Sequence, residues 1–434
     1  MNSRHNSSTP VLLLGAAHHG GLAITRSLGK LGAPLYVVDT GRLRPAFFSR
    51  YCSGRFSWDL HAATARESIE FLLIAAAKIG GKPILIPTND SAALFVADHS
   101  ESLRNAYIFP EQSSERSHAL VSKRSLFQLA SRYGIPTPVT FSPTCRSEAF
   151  SFARTAKYPV MVKADDCGQH GAATMKYIAR SADDLLDKYD RIDESQQSNI
   201  LFQEYIPGGD DTIWMFNGYF NSRSECLFGM TGQKIRQCPV YTGAACLAIC
   251  RRNDIVHQTT LAFMKAVGYQ GILDIGYRYD ARDGKYKVLD VNPRIGSTFR
   301  LFVGQSGMDV ARALYLDLTN KEVSFSQGRD GRKWIVEDCD VVSSFRYWRD
   351  GNLKITDWAK SFAGIQETSF LSLTDPLPIF PVLTNDLCEL GFRLWRKAHM
   401  YARRPHFAVE PTPGLVHQPD RSDVLRPSRS ERDA

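Results

Sequence analysis

The stretch Lys285-Tyr-Lys-Val-Leu-Asp-Val-Asn-Pro-Arg294 constrains this chain more than any other. Leu289 and Val291 alternate with Asp290 and Asn292, the pattern of a strand with one apolar and one polar face. Upstream, Gly271–Asp280 is a second strand, and Ala281-Arg-Asp-Gly284 closes the two into a hairpin. Pairing Asp280 with Gly284 also pairs Asp274 with Asp290, so Asp274, Asp290 and Asn292 converge on one face. Two carboxylates side by side repel, and their natural partner is a cation. Carboxylate and amide oxygens suit a hard ion such as Mg2+, held jointly with phosphate oxygens. Pro293 ends the ladder, and Arg294 adds a planar fork suited to phosphate. The competing reading is an edge strand whose polar residues are merely solvated.

The preceding chain opens as β-α-β. Val11–Leu14 is a buried strand, Gly15 a turn, Leu22 to Leu31 have helical spacing, and Leu35–Asp39 is a second strand. Gly15, Ala17 and Gly20 approximate a dinucleotide turn with Asp39 as its ribose acid, which keeps an NAD(P)-dependent oxidoreductase open as an alternative. Pro83–Pro87 is a third strand; Asp90, just past it, is either a substrate contact or the N-cap of a helix over 91–97. Further on, Tyr158–Lys163 is a strand closing on a lysine. Residues 165–171 form a polar loop with Gly168 and Gly171, and 174–178 are extended, so this hairpin can fold over phosphates. Lys234 and Arg236 bring two more cations together, and Arg300 is a third candidate anion holder.

At 434 residues the chain has room for two or three domains. The net charge of +8, without a run of like charge long enough for a nucleic-acid arm, fits anionic small molecules at least as well as DNA, and no nucleic-acid partner is expected. Nine cysteines without a C-x-x-C pair read as reduced thiols in a cytoplasm. Val11–Ala17 is too short for a signal peptide, and no stretch approaches the roughly 20 apolar residues of a membrane span. Beyond 331 no catalytic cluster stands out. Residues 386–397 read as a basic amphipathic helix, either packed or meeting a membrane surface or partner, and 405–434 read as disordered.

The order Lys123, Lys163, glycine loop, Gln203-Glu-Tyr-Ile206, Asp274, Asp290-Val-Asn-Pro-Arg294 resembles the ATP-grasp superfamily, in the D-aspartate-ligase-like and carbamoyl-phosphate-synthase-like branch of carboxylate–amine ligases. The resemblance implies an α/β (α+β grasp) fold: a Rossmann-like domain over 1–118, grasp subdomains over 119–198 and 199–330, a mainly helical extension over 331–404, and the tail. It implies ATP with Mg2+ (Mn2+ being the alternative ion), an acid and an amine as substrates, and an assembly compatible with a homodimer.

Residue by residue, the resemblance makes Lys123 and Lys163 the phosphate lysines and Gly168 to Gly171 the lid. Gln203, Glu204, Tyr205 and Ile206 become the adenine hinge, and Asp210 or Asp211 the ribose acid. Asp274, Asp290 and Asn292 are the metal ligands, and Arg294, Lys163 and Arg236 the catalytic cations. One departure stands out: Gly276 occupies the place where many grasp enzymes carry the first metal acid. The implied chemistry is attack of a carboxylate on the γ-phosphorus, then displacement of phosphate from the acylphosphate by an amine. A non-catalytic nucleotide-binding scaffold is the third alternative.

Overall fold

In the computed structural model, residues 8–17, 19–164, 176–192, 199–324, 328 and 330–385 are described. Gly168, Gly171, the amphipathic segment 386–397 and the tail lie outside these residues.

Three sheets carry the architecture of the described residues. The first is parallel, in the order β3 (Cys52–Phe56), β2 (Leu35–Val38), β1 (Val11–Leu14), β4 (Ile84–Pro87). All four residues of β1 are buried, as expected of a strand covered on both faces. The strand β3 was not legible in the sequence, because its Cys-Ser-Gly-Arg-Phe run lacks an apolar face.

The second sheet is antiparallel, in the order β5 (Thr140–Phe141), β8 (Ile200–Glu204), β6 (Val160–Ala164), β7 (Lys176–Ala179). Its core is Val160, Val162, Ile200 and Phe202, packed under helices Arg146–Thr155 and Ala182–Asp190.

The third has seven strands. Their order is β13 (Lys285–Asn292), β12 (Gly271–Asp280), β9 (Ile213–Phe220), β10 (Cys226–Cys238), β11 (Ala244–Cys250), β14 (Lys333–Ile335), β15 (Ile365–Thr368). One face packs on helices Asp254–Ala266 and Lys123–Arg132 through Phe216, Leu273, Ile275, Tyr277 and Val291. Met215, Tyr219, Met230 and Ile272 on the other face join the core of the first sheet.

Residues 331–385 hold more helix than strand, but they are built into the large sheet rather than appended to it. β14 and β15 extend the large sheet, with Trp334 of β14 buried, and the helix Glu337–Arg349 packs beside β10. The segment then returns to the first helix, His19–Gly29. The Arg26 guanidinium donates to Asp375 Oδ2 at 2.9 Å, to Asp375 O at 2.8 Å, to Phe370 O at 2.8 Å and to Ser369 O at 3.1 Å. Asp375 also accepts from Ser49 Oγ and Arg50 N, both at 2.8 Å. Removing one member of a buried, fully bonded ion pair leaves an uncompensated charge, which costs about 3–5 kcal/mol. Arg26→Met is thus expected to lower the melting temperature by many degrees; a thermal melt within a degree of the unsubstituted chain would refute the strap.

Candidate functional site

The hairpin β12–β13 supplies the floor of the site, in a register different from the expected one. Asp280 pairs with Lys285 rather than Gly284, and a bulge between Gly276 and Tyr277 leaves Leu289 unpaired, so Asp290 faces Gly276 and Asn292 faces Asp274. The shift adds one residue at the turn and one at the bulge, and an even total keeps the polar set on one side. Asp274, Asp290 and Asn292 do share a face: Asn292 Nδ2 lies 3.4 Å from Asp274 Oδ2, and Asp290 is exposed beside them.

Two glycines make room. A Cβ at Gly276 would collide with Asp290 Oδ1, so the missing acid at 276 leaves space that the Asp290 side chain fills. A Cβ at Gly296 would meet Asp274 Cγ at 2.5 Å, so the loop after β13 closes directly on that carboxylate.

Desolvation pushes the Asp274 carboxyl up to about 6; Asp290 adds to the rise, while Arg294, Asn217 and Lys234 oppose it. A carboxylate this reluctant to ionise fits a site completed by a cation. Two carboxylates and an amide suit a hard ion that also binds phosphate. Among the described residues no trio of His, Cys, Asp and Glu side chains gathers into an all-protein metal cage.

Arg294 stands at the edge of this floor. Its Nε donates to Asp90 Oδ1 at 2.8 Å, Nη2 reaches Asp90 Oδ2 at 3.4 Å and Asn292 Oδ1 at 3.3 Å, and Nη1 donates to Ile295 O at 3.2 Å. Burial opposes the charge, but Asp90, Asp274 and Asp290 outweigh it and hold the pKa above its ordinary value. Asp90 is therefore neither a cap nor free for a substrate. Asn89 caps the helix Asp90–Asp98, accepting from Ala92 N at 2.8 Å, and Asp90 in its first turn is the partner of Arg294.

The other wall is the small sheet. Lys163 Nζ donates to Gln203 Oε1 at 2.5 Å, and Gln203 Nε2 to Thr140 Oγ1 at 3.1 Å. Glu204 accepts from Arg282 Nη2 at 2.6 Å and lies 3.4 Å from Lys287 Nζ. Arg282 and Lys287 also bind the buried Asp280, at 2.6 and 2.7 Å. Ile206 is buried behind this turn. Arg278 lies over the Tyr205 ring at 5.9 Å and donates to Gly208 O at 2.5 Å. Asp210 accepts from Gln237 Nε2 at 2.7 Å and from Tyr347 OH, and the Asp211 carbonyl accepts from Gln233. Lys123 opens the helix Lys123–Arg132, just after its cap Ser122.

The sequence reading missed Arg278, Arg282, Lys287 and Asp280. The period-two spacing 274, 276, 278, 280 was the signal for Arg278 and Asp280; the bulge at Leu289 hid Lys287, which is three residues from Asp290.

Of the remaining candidate cations, Arg236 and Arg300 are engaged elsewhere. Arg236 is buried, with Nε and Nη2 on Asp340 at 2.7 and 3.0 Å and Nη1 on Ser361 Oγ at 2.9 Å. Arg300 binds Glu367 at 2.6 and 2.7 Å and also pairs with Asp309. Lys234 faces the floor and donates to Gly243 O at 2.9 Å. The acid of the dinucleotide alternative is occupied too: Asp39 accepts from Ala16 N at 2.7 Å, Gly41 N at 2.9 Å and Arg44 Nε at 2.6 Å.

No family model matches the chain. It is 23% identical over 246 residues to D-aspartate ligase of Enterococcus faecium, covering 53% of this chain and 57% of that protein. It is 24% identical over 222 residues to the carbamoyl phosphate synthase large chain of Gemmatimonas aurantiaca, covering 48% of this chain and 19% of that one. The chain thus spans less than two thirds of the length of these relatives. Among solved structures, it is similar to the biotin carboxylase of Campylobacter jejuni in complex with β-γ-ATP (TM-score 0.59, 16% identity, 74% of this chain and 73% of that one). It is also similar to L-amino acid ligase from Bacillus licheniformis (TM-score 0.55, 13% identity, 73% and 78%). At these identities the shared property is the fold.

Because Asp274 is raised from 3.8 to about 6, the folded chain holds a proton that the unfolded chain has already released, so its contribution to stability falls as pH rises through about 6. Asp274→Asn carries a neutral side chain at every pH. Without divalent cation, its melting temperature relative to the unsubstituted chain is expected to rise between about pH 4 and 6 and to level off above about pH 7. A difference that stays flat with pH would refute the raised carboxyl.

Proposed function

We propose that this chain, whose fold is that of the ATP-grasp proteins, is an ATP-dependent ligase that activates a carboxylate as an acylphosphate and joins it to an amine, releasing ADP and phosphate. The observation that carries the reading is the floor of β12 and β13: Asp274, Asp290 and Asn292 on one face, with Arg294 pinned beside them by Asp90. A Mg2+ ion bound there with ATP would neutralise charge on the phosphate oxygens. The protein's part is positioning and fixed charge, from which phosphoryl transfer draws most of its catalysis.

Arg294 is the fixed cation for the transferring phosphoryl group, since Asp90 holds its fork in one place before any substrate arrives. Asp290 and Asn292 hold the metal from the edge strand, and Asp274 holds it from β12. Lys163 and Lys123 address the phosphates. Gln203, Glu204, Tyr205 and Ile206 take the base, with Arg278 and the Arg282–Lys287–Asp280 group fixing that hinge to the large sheet. Asp210 or Asp211 takes the ribose. The acid and amine are small molecules, and the compartment is the cytoplasm; among the described residues no helix is long and apolar enough to cross a membrane. We keep Arg236 out of the machinery, because Asp340 and Ser361 already use its fork.

Asp290→Ala is expected to fold and to lose Mg2+-dependent ADP formation by about 10²-fold or more, the scale on which a single stabiliser of developing charge acts. The decisive assay is ADP release over a matrix of carboxylic acids and amines. Unchanged ATP consumption by the folded variant would remove Asp290 from the site. Tight NAD(P) binding without Mg–ATP binding would sink the ligase reading altogether. ATP binding with no ADP from any pair would favour the scaffold.

A further inference from the structure

Asn292, Asp274 and Asn217 stand in one row across β13, β12 and β9. Asn217 is fully buried, opposite Met230 on β10 and between Met215 and Tyr219 along its own strand face. Neither of its amide atoms completes a well-formed hydrogen bond among the described residues, although the amide stands close enough to Asp274 to help hold that carboxyl down. A buried amide without a well-formed hydrogen bond is destabilising. A leucine would fill the same space without that cost, so a packing role alone does not account for the residue.

What lies beside the amide is Asp274. That carboxylate is bounded by Asn292 Nδ2 at 3.4 Å on one side and by the Gly296 backbone on another, and its remaining lateral neighbour in the row is Asn217. We propose that Asn217 is a positioning residue for Asp274. Its Nδ2–H bonds the carboxylate once that carboxylate turns onto a cation, and so fixes which oxygen faces the ion. This rests on the cation reading of the floor given above. The poorly bonded amide is then stability given up for ligand orientation, as at other functional sites.

The test measures Mn2+ binding, by loss of the free-ion electron paramagnetic resonance signal, with a non-hydrolysable ATP analogue present. It compares the unsubstituted chain, Asn217→Leu and Asn217→Ala, and records melting curves without metal. Partners that orient a metal ligand contribute about 10- to 100-fold to affinity, so both variants are expected to bind Mn2+ at least about tenfold more weakly. The melting temperature of Asn217→Leu is expected to equal or exceed that of the unsubstituted chain, a result that an ordinary core role would not give. Should Asn217→Leu fail to fold, Asn217→Ala decides by its Mn2+ affinity. Unchanged affinity in a folded variant overturns the inference while leaving the cation site standing. No Mn2+ binding by the unsubstituted chain overturns the site itself, and the role of Asn217 with it.

Discussion

The Arg294–Asp90 pair is where the first sheet meets the floor of the site. Both groups are partly open to solvent, and ion pairs of that kind contribute about 0–1 kcal/mol net. The pair therefore matters for placement more than for stability. Its geometry depends on the parallel sheet, because Asp90 sits in the first turn of the helix after β4 and Arg294 just beyond the end of β13. The same approach is seen at Gly20, where an added Cβ would lie 3.2 Å from Ser297 Cα. A change in how the two sheets pack would first be felt by the guanidinium and only then by the acids behind it.

The pairs whose loss would destabilise the chain are buried and lie elsewhere. Arg236 with Asp340, and Arg26 with Asp375, each join an early strand or helix to the segment beyond 331. Asp309 caps the helix Val310–Leu318 and also accepts from Ser27 Oγ at 2.5 Å, linking the first helix to that helix. Residues that looked like spare cations near the chemistry thus form the frame. They lie away from the floor because Asp340 and Glu367, on later elements, claim them first.

Much of this was legible in the chain. The alternation Leu289-Asp-Val-Asn292 marks a strand with one chemical face, and the apolar run of β1 marks a strand covered on both sides. What could not be read depends on contacts distant in sequence. The strand β11, Ala-Ala-Cys-Leu-Ala-Ile-Cys, consists mostly of small residues, which signal a strand only when the sheet surrounds them. Asp90 looked like a cap because Asn-Asp at a helix start permits either residue to do that work, and only the position of Arg294 decides between them. Asn217, one polar residue in Trp-Met-Phe-Asn-Gly-Tyr-Phe, carries no signal until β12 is laid beside it.

The unpaired Leu289 has a consequence for how β13 is to be read. In an uninterrupted strand Lys287 and Asp290, an odd number of positions apart, would point to opposite sides. Here Lys287 faces Arg278 and Asp290 faces Gly276, so both address the same cleft. The bulge acts as a frameshift in the strand's two-residue code. Before it the odd-numbered positions 285 and 287 belong to the cleft, and after it the even-numbered positions 290 and 292 do. The base-side cluster and the acid pair are written in different frames of one strand, and a single residue left out of the strand pairing is what lets one surface read both.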